Sequence, residues 1–283
     1  MDKVLEVRNL NKSFGSFRLK DIGFSLESDC ITGFVGANGA GKTTTIKLLL
    51  DLIKRDSGEI RYFNDDFDVS SDRVKNRIGF VLDDGHFYDC LTVLEMKNVI
   101  SAAYSNWDEG EFKKYLQRFC LDPNQRISTL SKGMKMKFAL TMAMSHHADL
   151  LIMDEPTSGL DPLVRSKFLD ILLEYMKTGE KCVLFSTHIT SDLERVADAL
   201  IFIDNGEIIL KEEKDVLLDI YRIVKGDNDS LSEHTRELFV SLRETEYGFE
   251  GVTNQAKAVQ EQIPDVLIEK ASIEDVFLGY TRG

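Results

Sequence analysis

The residues best placed by type and spacing to do chemistry are GANGAGKTT, from Gly36 to Thr44, between the apolar run Ile31–Val35 and a helix-like run that begins near Ile46. Its three glycines let the backbone turn so that several N–H groups face one anion. The positive end of the following helix adds to that field. Lys42 supplies a point charge for β- and γ-phosphates, Thr43 offers a hydroxyl to Mg²⁺, and Thr44 can reach the α-phosphate. The stretch fits GxxxxGK[ST] in the order strand, loop, helix. Gly36, Ala37, Asn38, Gly39, Ala40 and Gly41 are therefore candidate nucleotide-binding residues, with Lys42, Thr43 and Thr44. A glycine turn that only caps a helix needs neither the lysine nor the hydroxyl. The motif alone does not separate one nucleotide hydrolase class from another.

Two further segments narrow the chemistry. In LLIMDEP, an apolar strand ends in acids. Asp154 can hold the water shell of a metal ion beside the phosphate loop. Glu155, one residue on, can polarise a water that attacks the γ-phosphate. Paired acids after a strand are also a common helix start. In LSKGM, Leu130 to Met134, Ser131 and Gly133 open a helix, a serine-glycine cap that is common by itself.

With these three segments in this order, the chain resembles an ATP-binding subunit of the ABC transporter family over roughly residues 1 to 215. The family's LSGGQ motif is matched by Leu130, Ser131, Lys132, Gly133 and Met134, with departures at Lys132 and Met134. Phe14, in NKSFG, matches the aromatic that stacks on adenine. Ser158-Gly159-Leu160-Asp161 matches the loop that passes between two subunits, which adds Asp161 to the ATP site. His188, in FSTH, matches the histidine that contacts the γ-phosphate. The resemblance thus implies Lys42, Glu155 and His188 as the catalytic group. It implies ATP and Mg²⁺ as the ligands, with Thr43, Asp154 and Asp83 around the metal. Asp83 stands where the family has glutamine, in IGFVLDD. It is shorter by a methylene and anionic, so it either binds metal through water or only lines the contact with a membrane partner. The stretch Gly85-His86-Phe87-Tyr88 is either a groove for a coupling helix or aromatic packing for a helical insertion.

The family implies a head-to-tail pair, with ATP between the Lys42 loop of one subunit and the Ser131 segment of the other. One phosphate loop and one LSGGQ-like segment mean that a second copy or a related ATPase subunit completes each site. A separate transmembrane permease is implied, with this chain peripheral on the cytoplasmic side of the membrane. Among ABC proteins the chain is most similar to ATPases of bacterial drug, antibiotic and peptide exporters, partly through the segment ASIEDVFLGYTRG. The rival readings are ABC ATPases of translation or of DNA repair. The first usually carry two cassettes and a charged linker. The second need a long coiled coil or zinc cysteines between the motifs, and Val93 to Ile127 is too short for that.

The 283 residues, 43% hydrophobic, allow a large core domain with a small addition. A net charge of −13 argues against a dominant grip on nucleic acid or on an anionic membrane surface. Cys30, Cys90, Cys120 and Cys182 lack metal spacing and read as reduced thiols. The start MDKVLEVRNLNKSF has no apolar h-region, and no apolar run approaches the roughly 18 residues of a membrane helix.

The elements that must position these residues read as an α/β fold. This is a P-loop NTPase core with an antiparallel β edge, a helical insertion over about 86–146 and a small α+β extension over 215–283, which leaves 1–214 as the cassette. Strands are expected at Val4–Leu10, Phe17–Leu19, Gly23–Leu26, Ile31–Val35, Glu59–Tyr62, Ile78–Leu82, Leu150–Met153 and Cys182–Ser186. Helices are expected at Lys42–Leu52, around Leu94–Ala103, around Phe112–Phe119, after Ser131, at Pro162–Lys177 and at Asp192–Ala197. Leu200–Asp204 and Glu207–Lys211 form a hairpin through Asn205-Gly206. Beyond Lys214, short strands are expected at Ile220–Val224, Phe239–Leu242 and Val266–Ile268, with a closing helix over Ser272–Tyr280.

Overall fold

A computed structural model of the chain describes residues 3–63, 71–82 and 87–282. Its first segment runs β1 (Lys3–Phe14), β2 (Phe17–Glu27), β3 (Cys30–Val35), α1 (Lys42–Leu49), β4 (Ser57–Tyr62), α2 (Asp72–Lys75) and β5 (Ile78–Val81). Then come α3 (Val93–Ser101), α4 (Glu109–Phe119) and α5 (Lys132–Met144), followed by β6 (Leu150–Asp154), α6 (Pro162–Met176), β7 (Cys182–Thr187), α7 (Thr190–Val196), β8 (Ala199–Asp204) and β9 (Glu207–Glu213). The last part is α8 (Lys214–Ile220), β10 (Arg222–Gly226), α9 (Glu233–Arg236), β11 (Ser241–Thr245), β12 (Gly248–Thr253), α10 (Ala256–Gln262), β13 (Leu267–Lys270) and α11 (Ile273–Arg282).

The central sheet has the order β5-β6-β7-β3-β8-β9 and is parallel except for the β8–β9 hairpin. β6 and β7 are buried along their whole length, which is why they are unbroken apolar runs rather than alternating ones. One face packs with α3 to α7, and the other packs against the antiparallel sheet β2-β1-β4. The register Val35↔Thr187 and Asp154↔Ser186 brings the carboxyl ends of β3, β7 and β6 side by side. Parallel α/β sheets bind their ligands outside such strand ends.

The expected hairpin is present, with φ of 46° at Asn205 and 80° at Gly206. The turn also braces the phosphate loop, because Gly206 N–H donates to Ala40 O at 3.0 Å. A Cβ on Gly206 would lie 2.0 Å from Arg18 O, so no other residue fits this approach. β1 and β2 are longer than the alternation suggests. Register shifts after Val7 and Leu10 break the period of two, and Asn11 stitches the irregularity by accepting from Asp21 N–H through its Oδ1. Helix α1 ends three residues early, with Leu50 as its C-cap and Asp51 at φ 54°.

The C-terminal part departs most from expectation. Its sheet, β11-β12-β10-β13, is wholly antiparallel and covers a small cluster of Val224, Phe249, Val259 and Ile263. Strand β12 and the short helices α8, α9 and α10 are not expected from the sequence, and the bounds of the remaining strands are displaced by one to three residues. Gly251 interrupts the apolar pattern of β12 because the ring of Phe239 occupies the place of its side chain. The closing helix is where it was expected. Ser272 and Asp275 cap it reciprocally, and Phe277 meets Phe202 edge-on at 5.4 Å, which docks α11 on β8.

Candidate functional site

The loop from Gly36 to Gly41 leaves β3 and enters α1 with φ of 85° at Gly39 and 117° at Gly41. These values demand glycine. Gly41 is the N-cap of α1 and offers no side chain to its first N–H groups, which stay directed at whatever anion sits before the helix. Ala37, Asn38, Gly39 and Thr43 are exposed, whereas Lys42 is buried at 5% exposure. The Lys42 ammonium donates to Gly36 O at 2.6 Å and to Ala37 O at 3.2 Å, and stands 3.2 Å from Glu155 Oε1. Thr44 is half-buried, one residue further along the helix.

Asp154 closes β6 at 3% exposure, and its Oδ1 accepts from Ser186 Oγ at 2.6 Å. Glu155 follows in the left-handed region, φ 49°, which turns its side chain out of the strand direction. Its N–H donates to Ser186 O at 3.0 Å and to Ser186 Oγ at 3.3 Å, so β7 holds the turn. The carboxylate then lies between His188 and Lys42. Oε2 lies 2.8 Å from His188 Nδ1, and Oε1 faces Lys42. Among the described residues Oε1 accepts no hydrogen bond of good angle although it is buried, so its partnership with Lys42 is charge without alignment.

Lys42, Asp154, Glu155 and His188 are thus brought together. Phe14 arrives from the neighbouring sheet. It ends β1 at 44% exposure opposite Phe17, whose ring reaches to within 3.1 Å of where a Cβ on Gly41 would lie. The aromatic edge therefore stands at the mouth of the loop. Ser131 and Gly133 form a second centre at the start of α5. Ser131 Oγ accepts from Met134 N–H at 3.2 Å, and the open side of Gly133 faces Leu160. The Ser158–Asp161 turn lies beside it, with Lys132 over Gly159. Asp161 is committed to its own helix, accepting from Leu163 and Val164 N–H at 3.1 and 3.0 Å. Asp83 falls outside the described residues, as do Gly85 and His86. Phe87 packs on Phe138 with ring centres 4.8 Å apart, while Tyr88 is 63% exposed.

The groups fit Mg²⁺. This hard ion keeps most of its waters and takes one or two carboxylates plus substrate phosphates. Thr43 Oγ1 and the single buried carboxylate of Asp154 offer that donor set beside the phosphate cradle, with no dense acidic cage among the described residues.

Three features were not read from the sequence. Ser186 fixes both acids, and its sign was only a hydroxyl in an otherwise apolar strand. Asp192 collects Thr157 and Arg165, which needs the third dimension to see. An apolar cleft of about 300 Å³ opens between the sheet and the helical segment, lined by Leu52, Phe80, Leu82, Phe87 and Met96. Phe80 and Leu52 had looked like ordinary strand and helix residues.

Residues 19–158 match the family model described as ABC transporter. The chain is 31% identical over 212 residues to a bacitracin transport ATP-binding protein of Bacillus licheniformis, covering 74% of this chain and 69% of that one. Among solved structures it resembles an ATP-binding subunit of an ABC transporter, with TM-score 0.69 and 28% identity over 76% of this chain and 92% of the other. It also resembles cbiO1 of Clostridium perfringens, described as part of the transporter complex cbiONQ, with TM-score 0.64 and 25% identity over 76% and 91% of the two chains.

Proposed function

Because this chain belongs to the ABC transporter ATP-binding family, an ATPase family, we propose that it drives a separate membrane permease that exports an antibiotic, drug or peptide. The observation that carries the reading is the line Lys42–Glu155–His188 at the ends of three adjacent parallel strands. Lys42 and the N–H groups of the loop hold the γ-phosphate, and Phe14 stacks on the adenine. Glu155 orients the attacking water and accepts its proton while the bond to the bridging oxygen breaks and ADP leaves with the electron pair. His188 fixes the carboxylate from its far side. Thr43 and Asp154 would hold Mg²⁺, which when bound would neutralise phosphate charge.

Ser131, Gly133 and Asp161 serve the nucleotide of a second copy or related subunit, so each ATP joins two chains. In this reading the apolar cleft beside Phe80 receives a helix of the permease, and the chain works at the cytoplasmic side of the membrane with no nucleic-acid partner. In this reading residues 1–214 are the cassette, with its helical part over about 86–146, and 215–283 are an added module. The relation to a bacitracin transport protein supports the export class. The test is purification of the tagged chain from detergent-solubilised membranes of its own cells. Recovery with a polytopic membrane protein, and MgATP hydrolysis that responds to it, is expected. Recovery with ribosomes or DNA overturns the transport reading.

A further inference from the structure

The hydrolytic pair Glu155–His188 has a second, deeper rung. Four residues after His188, Asp192 sits in α7 at 2% exposure with both carboxylate oxygens engaged. Oδ2 accepts from Thr157 Oγ1 at 2.6 Å, and Oδ1 accepts from Arg165 Nε at 2.5 Å. Thr157 is itself 1% exposed and lies two residues after Glu155, in the turn that leads to Asp161. Arg165 also donates to Ser191 Oγ at 2.8 Å, and its own N–H bonds back to Asp161 O. Three segments therefore meet on one buried carboxylate. They are the turn that carries Glu155, the first turn of α6, and the helix that follows His188.

We propose that Asp192, with Thr157 and Arg165, is a positioning residue for hydrolysis that sets the Glu155–His188 separation and holds the Ser158–Asp161 turn in register with it. The reasoning is geometric. Glu155 leaves β6 through the left-handed region, φ 49°, which is uncommon for a residue other than glycine. His188 leaves β7 at a strand end, its side chain 44% exposed, and α7 does not begin until Thr190. The His188 ring is held at its tip by Glu155, and the Glu155 carboxylate by His188 and Lys42. The Asp192 rung fixes the backbone behind both. A buried carboxylate with two donors is also costly to disturb, since removing the Thr157 hydroxyl leaves one of its oxygens unmatched. The α6–α7 tie thus transmits any displacement of the turn to the reacting end.

This inference rests on the reading of Glu155 and His188 as the hydrolytic pair. Its test is steady-state MgATP hydrolysis by the full chain, with nucleotide affinity measured separately. Thr157→Val keeps the side-chain volume and removes the donor. Its kcat should fall about tenfold to a hundredfold, the scale of a small misplacement of reacting groups, with KM and MgATP affinity within twofold. Thr157→Ser keeps the hydroxyl and should restore kcat. Val259→Ala, in the separate C-terminal cluster, lowers stability away from the site and should leave kcat unchanged. A Thr157→Val protein that turns over like wild type overturns the proposal, as does one whose loss is shared by Val259→Ala. Glu155→Gln is assayed beside them. If it is inactive while Thr157→Val is normal, the hydrolytic reading stands and the positioning role falls. If Glu155→Gln keeps wild-type turnover, the hydrolytic reading itself fails, and the positioning role loses its object.

Discussion

His188 Nδ1 and Glu155 Oε2 are 2.8 Å apart, a contact between residues 33 positions apart in sequence that exists only because β6 and β7 are neighbours. It leaves the other carboxylate oxygen turned toward Lys42. In the proposed mechanism this carboxylate, between His188 and Lys42, takes a proton from water on the phosphate side.

Glutamine at 155 preserves the shape and can still accept from His188, but it cannot take that proton. Glu155→Gln should bind MgATP with near wild-type affinity and lose about a hundredfold or more in turnover. With ATP uncleaved between two chains, the variant should elute as a dimer in MgATP where wild type elutes as a monomer. Wild-type phosphate release by the variant excludes Glu155 as the base.

Among the described residues Lys42 donates to two carbonyls of its own loop and faces one carboxylate, which leaves its charge beside the place where a phosphate would bind. Lys42→Ala should weaken MgATP binding about 10- to 100-fold, the range for losing a charge-assisted hydrogen bond, and turnover with it. Titration with a fluorescent ATP analogue reads this directly. Unchanged affinity would sink the phosphate-loop assignment.

Ser131 shows the opposite pattern. It caps α5, is exposed, and touches Met134 rather than the Lys42 loop. Ser131→Arg should leave MgATP affinity of the single chain intact while abolishing turnover, because the arginine blocks the nucleotide of the opposing subunit. Normal hydrolysis by this variant rules out a shared site.

The parts of the candidate site were largely legible because each is contiguous in sequence. Gly36–Thr44, Asp154-Glu155 and Ser131–Gly133 each carry their chemistry within a few residues, and the strands before them are plain apolar runs. The tie between Thr157, Arg165 and Asp192 was not legible, since buried polar groups of three segments leave no local period. Nor was β12, where Gly251 stands at a position that an apolar residue would otherwise mark, because Phe239 fills its place. The hairpin at Asn205-Gly206 was legible for the opposite reason, since both residues need φ > 0 and the turn chemistry states it.

The apolar cleft makes the permease contact testable without touching hydrolysis. Phe80 is 44% exposed on β5 and lines the cleft with Leu52 and Leu82. Phe80→Asp places a charge where an apolar helix would seat and disturbs little of the core. Basal MgATP hydrolysis by the isolated chain should be unchanged, while recovery of the membrane protein and transport should fall several-fold. Full recovery of the complex would remove this cleft as the docking site.

His146 gives the last prediction, on acid stability. The ring is wholly buried between the end of α5 and β5, stacked on Tyr104 at 3.9 Å. Nε2 lies 3.1 Å from Ile78 O and Nδ1 lies 3.2 Å from Met142 O. A neutral imidazole has one N–H, so one of these carbonyls faces a lone pair. Protonation would satisfy both, but burial penalises the charge and is the larger effect, and His147 and Lys181 push the same way. The folded chain therefore holds this histidine below its ordinary value of 6.5. The unfolded chain keeps the ordinary value and takes up the proton first. Stability from this site is full above about pH 6.5 and is lost as the pH falls from there through the folded value. In denaturant titrations from about pH 7.5 to pH 5, wild type should lose more stability than His146→Gln, which cannot titrate. The comparison of slopes, not of absolute midpoints, carries the test, because glutamine changes the packing at every pH. Parallel slopes would show that His146 takes up its proton equally in the folded and unfolded chain, and the buried ring would then play no part in the response to acid.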